Sequence, residues 1–309
     1  MTMRVPNLMN NAQSMLDLQR IKQQYSNTVL QLTTGKAIVN LGDDPTSATE
    51  ISNYQSSVDL NAQYIAQANT ASTQMTNTST ILSSILSDVQ SVVTQAQQGL
   101  ASTDTPAGMT AGATEVDSLR TDLISLGNSQ AQGQYLFAGT DTTTEPFLDN
   151  VPATGTTPQS VTYAGNSGLN QLTVGTSTTV TTNIPGNSLF FGPGGQGSST
   201  DLLAQVTAAR DALTSGNTAA LQTAYTNLQA IATRIDTVQT DMGGRENGVS
   251  VLQNGLSDFN ANLSAQQSQI ESVDYPTAIT QLNEESVAQQ AALNAMSMSN
   301  SKTLFDYIA

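Results

Sequence analysis

The chain has 309 residues, enough for two domains or for one elongated body with an insertion. Its 9 basic residues against 24 acidic ones give a net charge of −15, which argues against nucleic-acid binding. The absence of Cys and His removes disulfides, thiol nucleophiles, imidazole bases and the usual zinc ligands. No signal-peptide core and no run of 18 apolar residues is present, so we expect neither a cleaved signal nor membrane insertion.

The N-terminal segment, residues 1–44, combines a sparse apolar stripe with positive charge. Four basic residues against Asp17 give residues 1–36 a net charge of +3. Helices with so few apolar anchors are marginal in water, so we expect this segment to become ordered only against another part of the chain or a neighbouring molecule. The apolar positions are Leu8, Met15, Leu18, Ile21, Tyr25 and Leu32.

A long helix is predicted from Asp44 to about residue 98. Asp44 is an N-cap residue followed by Pro45 at the first helical position, the favoured order at a helix start. With Ile51 at position a, most a and d positions of the heptads are apolar, including Leu82 and Leu86. We therefore expect a seam along the a and d rows that needs partner helices.

Three later segments supply those partners. Residues 115–134 are predicted to form a return helix after a breaker-rich stretch. Apolar faces along 202–242 and 249–273 predict two further helices, with a break at residues 215–217. The sequence GGREN at 243–247 is interpreted as a turn between helices.

The middle of the chain differs in composition. Residues 139–200 are rich in Gly, Pro and Thr and contain short β-favouring runs at 161–163, 171–174 and 178–184. We predict a small all-β insertion that can be deleted without unfolding the helices. Its GPGGQG segment, residues 192–197, lacks the Lys of a phosphate-binding loop and is interpreted as a glycine turn.

The C-terminal segment, residues 271–309, mirrors the N-terminal one. It has a net charge of −4, opposite in sign to that of the N-terminus. Glu284 and Glu285 are helix neighbours that point in different directions, which favours a solvated face over an acid/base pair. The predicted assembly residues at this end are Ile279, Leu282, Leu293, Met296, Leu304, Phe305 and Tyr307.

These elements predict a mainly α fold: a long antiparallel helical bundle or coiled coil built from both terminal regions, with the small all-β insertion domain in the middle. The predicted divisions are terminal helices at 1–44 and 271–309, a rod at 45–137 and 200–270, and the insertion at 138–199. No group of residues supports catalysis, and we expect no metal, cofactor or enzymatic activity.

Three stretches carry a family resemblance. LTTGKAIVNLGDDPTSA, residues 32–48, resembles the start of flagellins and hook-associated proteins. QYLFAGTDTTTEPF, residues 134–147, is similar to a Tyr-Leu-Phe-Ala-Gly-Thr motif of the hook-associated protein 3 family, and the C-terminal SKTLFDYIA resembles that family's ending. The final Ile308-Ala309 departs from a terminal Leu, and the insertion is not covered.

The resemblance implies a structural protein of the bacterial flagellum, secreted to the extracellular hook–filament junction. Its implied partners are hook-associated protein 1, flagellin, other copies of itself in a ring, an export chaperone and the type III export apparatus. The terminal helices would form an inner tube and the insertion the outer face. Flagellin itself is the alternative, and a secreted enzyme or adhesin on a flagellin-like rod is a more distant one.

Overall fold

The computed structural model describes residues 4–40, 42, 44–101, 105–150 and 160–305, with only the backbone at 4–11 and 299–305. Its elements confirm a mainly α fold with small antiparallel strand pairs in the middle. In chain order they are α1 (Arg4–Thr34), α2 (Pro45–Gly99), α3 (Pro106–Gly127), β1 (Gln130–Ala131), β2 (Gln134–Tyr135), β3 (Phe147–Asn150), β4 (Ser160–Tyr163), β5 (Gln171–Thr173), β6 (Thr179–Thr181), a π-helical turn (Asn187–Phe191), α4 (Leu202–Ser215), α5 (Thr218–Glu271) and α6 (Tyr275–Phe305).

The contacts divide the chain into two compact units. The terminal unit comprises residues 1–60 and 258–309, and the central unit comprises residues 61–257. In the terminal unit α1 packs against α6, and in the central unit α3 packs against α4. The three-part division expected from the sequence stays a prediction.

Helix α2 begins where the Asp-Pro pair predicts a start. Asp44 Oδ1 accepts hydrogen bonds from the backbone N–H groups of Thr46 and Ser47 at 3.1 and 3.2 Å, and the Ser47 hydroxyl donates to Oδ2 at 2.6 Å. The Ser47 hydroxyl and the two N–H groups lower the pKa of the Asp44 carboxyl. Because these bonds satisfy N–H groups that have no partner within the helix, they stabilise its first turn.

The buried face of α2 in the central unit corrects the predicted seam. The d row is buried from Asn61 to Ala96, as expected, but the second fully buried row is the g row, not the a row. Leu86, an a residue, is only half-buried. The g row includes the small residues Ala71, Thr78 and Gly99, which allow close approach of neighbouring elements. Because these side chains are small or polar, a pattern based on apolar side chains does not predict that the g row is buried.

Helix α3 starts earlier than its apolar pattern suggests. The prediction placed its start at Glu115, whereas the helix begins at Pro106 with the Thr105 side chain accepting a hydrogen bond from the Gly108 N–H at 3.1 Å. A capping Thr followed by Pro is a helix-start signal, which outweighs the glycines that follow. The helix also ends earlier, at Gly127, because residues 130–135 form the β1–β2 hairpin.

The break between α4 and α5 is confirmed, and the predicted turn at GGREN is wrong. Gly216 has a φ of +68° and ends α4, while Asn217 Oδ1 accepts from the Ala220 N–H at 3.1 Å near the start of α5. In contrast, α5 runs without interruption through Gly243 and Gly244. Each glycine costs about 1 kcal/mol in a helix, which the burial of Met242 and Val249 on the same helix offsets.

The middle segment belongs to the core of the central unit. Its described residues form three antiparallel strand pairs, β1–β2, β3–β4 and β5–β6, and the sequence indicated strands at β4, β5 and β6. The ring centroid of Phe147 lies 4.4 Å from that of Phe190 and 5.2 Å from that of Tyr163. Phe147 and Phe190 are fully buried in the same cluster as residues of α2, α3, α4 and α5.

Polar contacts also join this segment to the helices. Arg120 on α3 donates to both carboxylate oxygens of Asp149 on β3, at 2.9 and 2.6 Å. Arg234 on α5 donates to the carbonyl oxygens of Leu189 and Thr200 at 3.0 and 2.9 Å. The expectation that the insertion can be deleted harmlessly is therefore revised, because deletion would expose the helical side of a shared core.

Candidate assembly surface

The predicted assembly residues lie on the two terminal helices, α1 and α6. The end of α1 and the start of α6 are held together by a short antiparallel bridge between Lys36 and Ser272. The Ala37 N–H donates to the Glu271 carbonyl at 2.7 Å, and the Val273 N–H donates to the Gly35 carbonyl at 3.0 Å. Lys36 also forms an ion pair with Glu271. These contacts make α1 and α6 an antiparallel pair with a defined register.

Gly35 permits the sharp reversal that follows α1. Its φ is +72°, and an added Cβ would lie 3.1 Å from the Tyr275 hydroxyl oxygen. We expect Gly35→Ala to lower the free energy of unfolding by about 1 to 2 kcal/mol, because L-residues are strained at positive φ. Urea denaturation followed by circular dichroism would measure this.

Gly243→Ala is the matched control, since Gly243 lies within α5 and an added Cβ there meets nothing within 4 Å. That substitution should raise stability by roughly 0.5 to 1 kcal/mol. Equal effects of the two variants would contradict the role assigned to the φ of Gly35.

The buried side of this helix pair is here called the terminal seam. On α1 it includes Leu18, Ile21, Tyr25, Thr28 and Leu32, and on α6 it includes Ala278, Leu282, Glu285, Gln289, Ala292 and Met296. Six of the predicted assembly residues therefore lie half-buried in the seam: Leu18, Ile21, Tyr25, Leu32, Leu282 and Met296. The side chains of Leu8, Leu304 and Phe305, and the whole of Tyr307, lie outside the described residues.

Glu285 departs from the expectation of a solvated face. It is half-buried in the terminal seam, whereas its neighbour Glu284 is exposed. Its Oε1 accepts from Gln281 Nε2 at 3.2 Å, and no described residue donates to the buried Oε2. Consecutive helix positions differ by about 100° in direction, so only one of two neighbours can face the seam.

A second set of apolar residues on the terminal helices is exposed. Ile279 and Leu293, both predicted assembly residues, are 50% and 48% exposed, and Met15 and Val29 are 61% and 36% exposed. Each of these four precedes a seam residue by three positions, so each lies beside the seam. Since α1 and α6 are antiparallel, equal offsets place all four on one side of the pair, here called the open face.

The open face has a regular spacing along the helices. Val29 and Ile279 lie seven residues from Lys36 and Ser272 respectively, and Met15 and Leu293 lie twenty-one residues from them. Each apolar pair is therefore level across the two helices, and the two levels are about 21 Å apart at 1.5 Å per residue. Sequence reasoning missed Leu16, Leu30 and Val287, which are also exposed but lie off the predicted stripes.

Among the described charged residues of the two terminal segments, Lys36 pairs with Glu271 of the other segment, whereas Arg20 pairs within its own helix. Arg20 lies 3.7 Å from Asp17 on its own helix, and both side chains are largely exposed. Such surface pairs contribute little stability.

Within the described part of the chain, no helix is sufficiently long and apolar to cross a membrane, and no three acidic residues cluster as metal ligands would.

The GPGGQG segment forms a turn, as predicted, with Gly195 and Gly197 at a φ of +77°. Its neighbour Asp201 caps α4 by accepting from Leu203 and Ala204 N–H groups at 3.0 and 3.1 Å.

Residues 225–308, which include most of α5 and all of α6, match the bacterial flagellin C-terminal helical region. Over nearly the whole chain, the sequence is 25% identical to flagellar hook-associated protein 3 of Escherichia coli, covering 98% of this chain and 99% of the relative. The curated relatives that this chain matches over nearly its full length carry the name flagellar hook-associated protein 3. The resemblance inferred from its motifs is thereby confirmed.

Two further comparisons agree. Flagellar hook-associated protein 3 of Salmonella typhimurium is 27% identical, with coverage of 95% of this chain and 94% of the relative. The crystal structure of flagellar hook-associated protein 3 from Legionella pneumophila has a TM-score of 0.62 at 14% identity, covering 71% of this chain and 98% of that one. At such identity the structural similarity concerns the fold alone. The relatives are structural components of the flagellum.

Proposed function

We propose that this chain is the junction protein that joins the flagellar hook, through hook-associated protein 1, to the flagellin filament. The observation that carries the proposal is sequence similarity to flagellar hook-associated protein 3 over 98% of the chain. A protein in this position acts through contacts with its neighbours. It would be secreted to the extracellular flagellum and would be needed for filament assembly and motility.

The terminal helices support this role because they carry apolar surface that one chain leaves exposed. The open face and Val287, which is 68% exposed, are on helices that otherwise form only a thin seam. Packing against further copies in a ring would cover these residues and add apolar burial worth about 25 cal/mol per Å². The predicted assembly residues at both ends would then line an inner tube.

The test is the position of the protein on isolated flagella. Gold-labelled antibody should give a single band at the joint between hook and filament, and deletion of the gene should leave hooks without filaments. Label along the whole filament would instead identify a flagellin. That alternative is supported by the match of residues 225–308 to the flagellin C-terminal region.

The free chain should differ from the assembled one at its ends. The terminal seam buries few apolar side chains. The free energy gained from that burial must offset a backbone entropy cost of about 1 to 2 kcal/mol per ordered residue. Limited proteolysis of the free protein should therefore remove about residues 1–36 and 275–309 and spare a core that cannot join hooks. Protease resistance of both ends would contradict this prediction.

The same exposed C-terminal helix would suit an export chaperone. An amphipathic helix with unpaired apolar residues can bind in a groove of a partner protein. A flagellar export chaperone would cover α6 before the unfolded chain enters the type III apparatus. Truncation after residue 274 should abolish chaperone binding.

A further inference from the structure

A cavity of about 350 Å³ lies in the central unit, between α3, α4, β4 and the glycine turn at residues 192–197. Cavities of this size bind small molecules in many proteins when an apolar lining is combined with a few polar groups. Here the apolar part of the lining is formed by Val161, Leu203, Ala204 and Ala208. The polar part includes three buried side chains, those of Arg120, Asp201 and Thr207.

Helix α4 forms one wall of the cavity. Ala204, Ala208 and Asp211 follow one another at intervals of four and three residues, so they share one face of the helix. Asp201, the N-cap residue of α4, lies at the start of the same wall. The two carboxylates are ten residues apart, which corresponds to about 15 Å along the helix axis. The wall therefore has an anionic group toward each end and alanine methyl groups between them.

Several acceptor atoms in the lining have capacity for a further hydrogen bond. No described residue donates to Oδ2 of Asp211 or to Oε1 of Gln196, whereas Nε2 of Gln196 already donates to the Val161 carbonyl. Oδ2 of Asp201 accepts from the Gly197 N–H at 2.7 Å, and a carboxylate oxygen can accept two hydrogen bonds. These three oxygen atoms favour a ligand that donates hydrogen bonds.

The positive charge near the cavity is already balanced by carboxylates. Arg120, in the lining, donates to both carboxylate oxygens of Asp149 at 2.9 and 2.6 Å. Nη1 of Arg210 is 2.8 Å from Oδ1 of Asp117, and its Nη2 is 2.7 Å from Oδ1 of Asp211. Two carboxylates thus share one guanidinium, and a cation at the Asp211 end of the cavity would compensate the remaining negative charge.

The Asp201 end of the cavity is both acidic and buried. Asp201 is 3% exposed, and burial raises the pKa of its carboxyl against the opposing effects of backbone N–H groups and Arg234. A carboxylate whose ionised form is stabilised incompletely gains from a further cation at hydrogen-bonding distance. A ligand with positive charge at both of its ends would therefore suit both ends of this wall.

We propose that this cavity binds a linear aliphatic diamine or polyamine, with one ammonium group beside Asp201, another beside Asp211, and the methylene chain along Ala204 and Ala208. If each N–H···O contact spans about 3 Å, the two nitrogen atoms would be about 9 to 10 Å apart. The extended chains of spermidine and 1,8-diaminooctane can span that distance, whereas 1,4-diaminobutane is too short. The inference goes beyond the proposed function and does not rest on it.

Calorimetric titration of the purified full chain tests the ligand class. The compounds are spermidine and 1,8-diaminooctane, with 1,4-diaminobutane as the shorter diamine and 8-amino-1-octanol as the chain of equal length with one charge. We expect 1,8-diaminooctane to bind about tenfold more tightly than either comparison, because only it places a cation at both carboxylates. Both long amines should also raise the thermal midpoint, since they bind the folded chain.

Substitutions at exposed positions test the location of the site. Ala208→Leu places a larger side chain in the cavity, and Asp211→Asn removes one of the two carboxylate charges. Each should weaken the binding of 1,8-diaminooctane about tenfold. The matched controls are Thr214→Leu on the same helix and Asp236→Asn on α5, both exposed and outside the lining. Neither control should change the affinity by more than about twofold.

Three results would overturn this proposal. The first is the absence of binding by both long amines, and the second is equal affinity for 1,8-diaminooctane and 1,4-diaminobutane. The third is binding that Ala208→Leu and Asp211→Asn leave unchanged, since the amine would then be attracted by the net charge of −15 and not by the cavity. The position of the protein on flagella is measured separately, so none of these results bears on the proposed function.

Discussion

Replacing Leu82 by Asp is expected to lower the free energy of unfolding by about 4 kcal/mol or more. Leu82 on α2 is fully buried in the core cluster of the central unit. An ionised carboxylate there has no hydrogen-bond donors to replace water, and the lost Leu side chain leaves a cavity. Thermal and urea denaturation of the purified protein would measure the loss.

Neighbouring substitutions provide the comparison. Leu86→Asp should cost less than Leu82→Asp because Leu86 is only half-buried, and Ser83→Asp should cost less than about 0.5 kcal/mol because Ser83 is exposed. If Leu86→Asp lowered the free energy of unfolding more than Leu82→Asp, the a/d seam predicted from the heptads would be supported instead. An unchanged thermal midpoint for Leu82→Asp would show that the core has been assigned wrongly.

The second large effect is expected at the ion pair between Arg120 and Asp149. The Arg120 side chain is 3% exposed and that of Asp149 is 28% exposed, so the two partners are not equivalent. Among the described residues, Asp149→Ala leaves the buried Arg120 guanidinium with Thr207 as its remaining side-chain partner, 3.1 Å away. We expect that loss to cost about 3 to 5 kcal/mol, as for other buried pairs that lose one member.

Arg120→Met should cost less than Asp149→Ala. It leaves behind a carboxylate that water can reach, and it fills much of the same volume with an apolar side chain. The double variant should be nearly as stable as Arg120→Met, which urea denaturation of all three variants would establish. Arg210 and Asp117, 2.8 Å apart, are the control pair, because Asp117 is 51% exposed and Arg210 keeps Asp211 as a second partner. Asp117→Ala should therefore cost less than about 1 kcal/mol.

A smaller loss for Asp149→Ala than for Arg120→Met would contradict the asymmetry. It would indicate that water reaches the guanidinium once β3 is altered. In either case the pair connects the middle segment to α3. The stability lost when this pair is broken therefore also measures how far the β-rich segment contributes to the stability of the central unit.

The sequence by itself determined the features that depend on a few adjacent residues. The Asp44-Pro45 start, the Ser215–Asn217 break and the glycine turn at 192–197 follow from capping geometry and from φ angles that only certain residues adopt readily. The burial of the d row of α2 could also be predicted, because apolar side chains that recur at a helical spacing usually form a buried face. The terminal motifs were sufficient to suggest the family.

Only the tertiary structure decided which surfaces are buried and which are not. The g row of α2, with Ala71, Thr78 and Gly99, is buried because several elements surround the helix. The local sequence pattern does not reveal which elements these are. Gly243 and Gly244 remain helical because burial elsewhere on α5 offsets their local cost. Phe147 and Phe190 join the middle segment to the helical core through contacts between residues far apart in sequence. For the same reason, the open face of α1 and α6 could be identified only once the terminal seam was known.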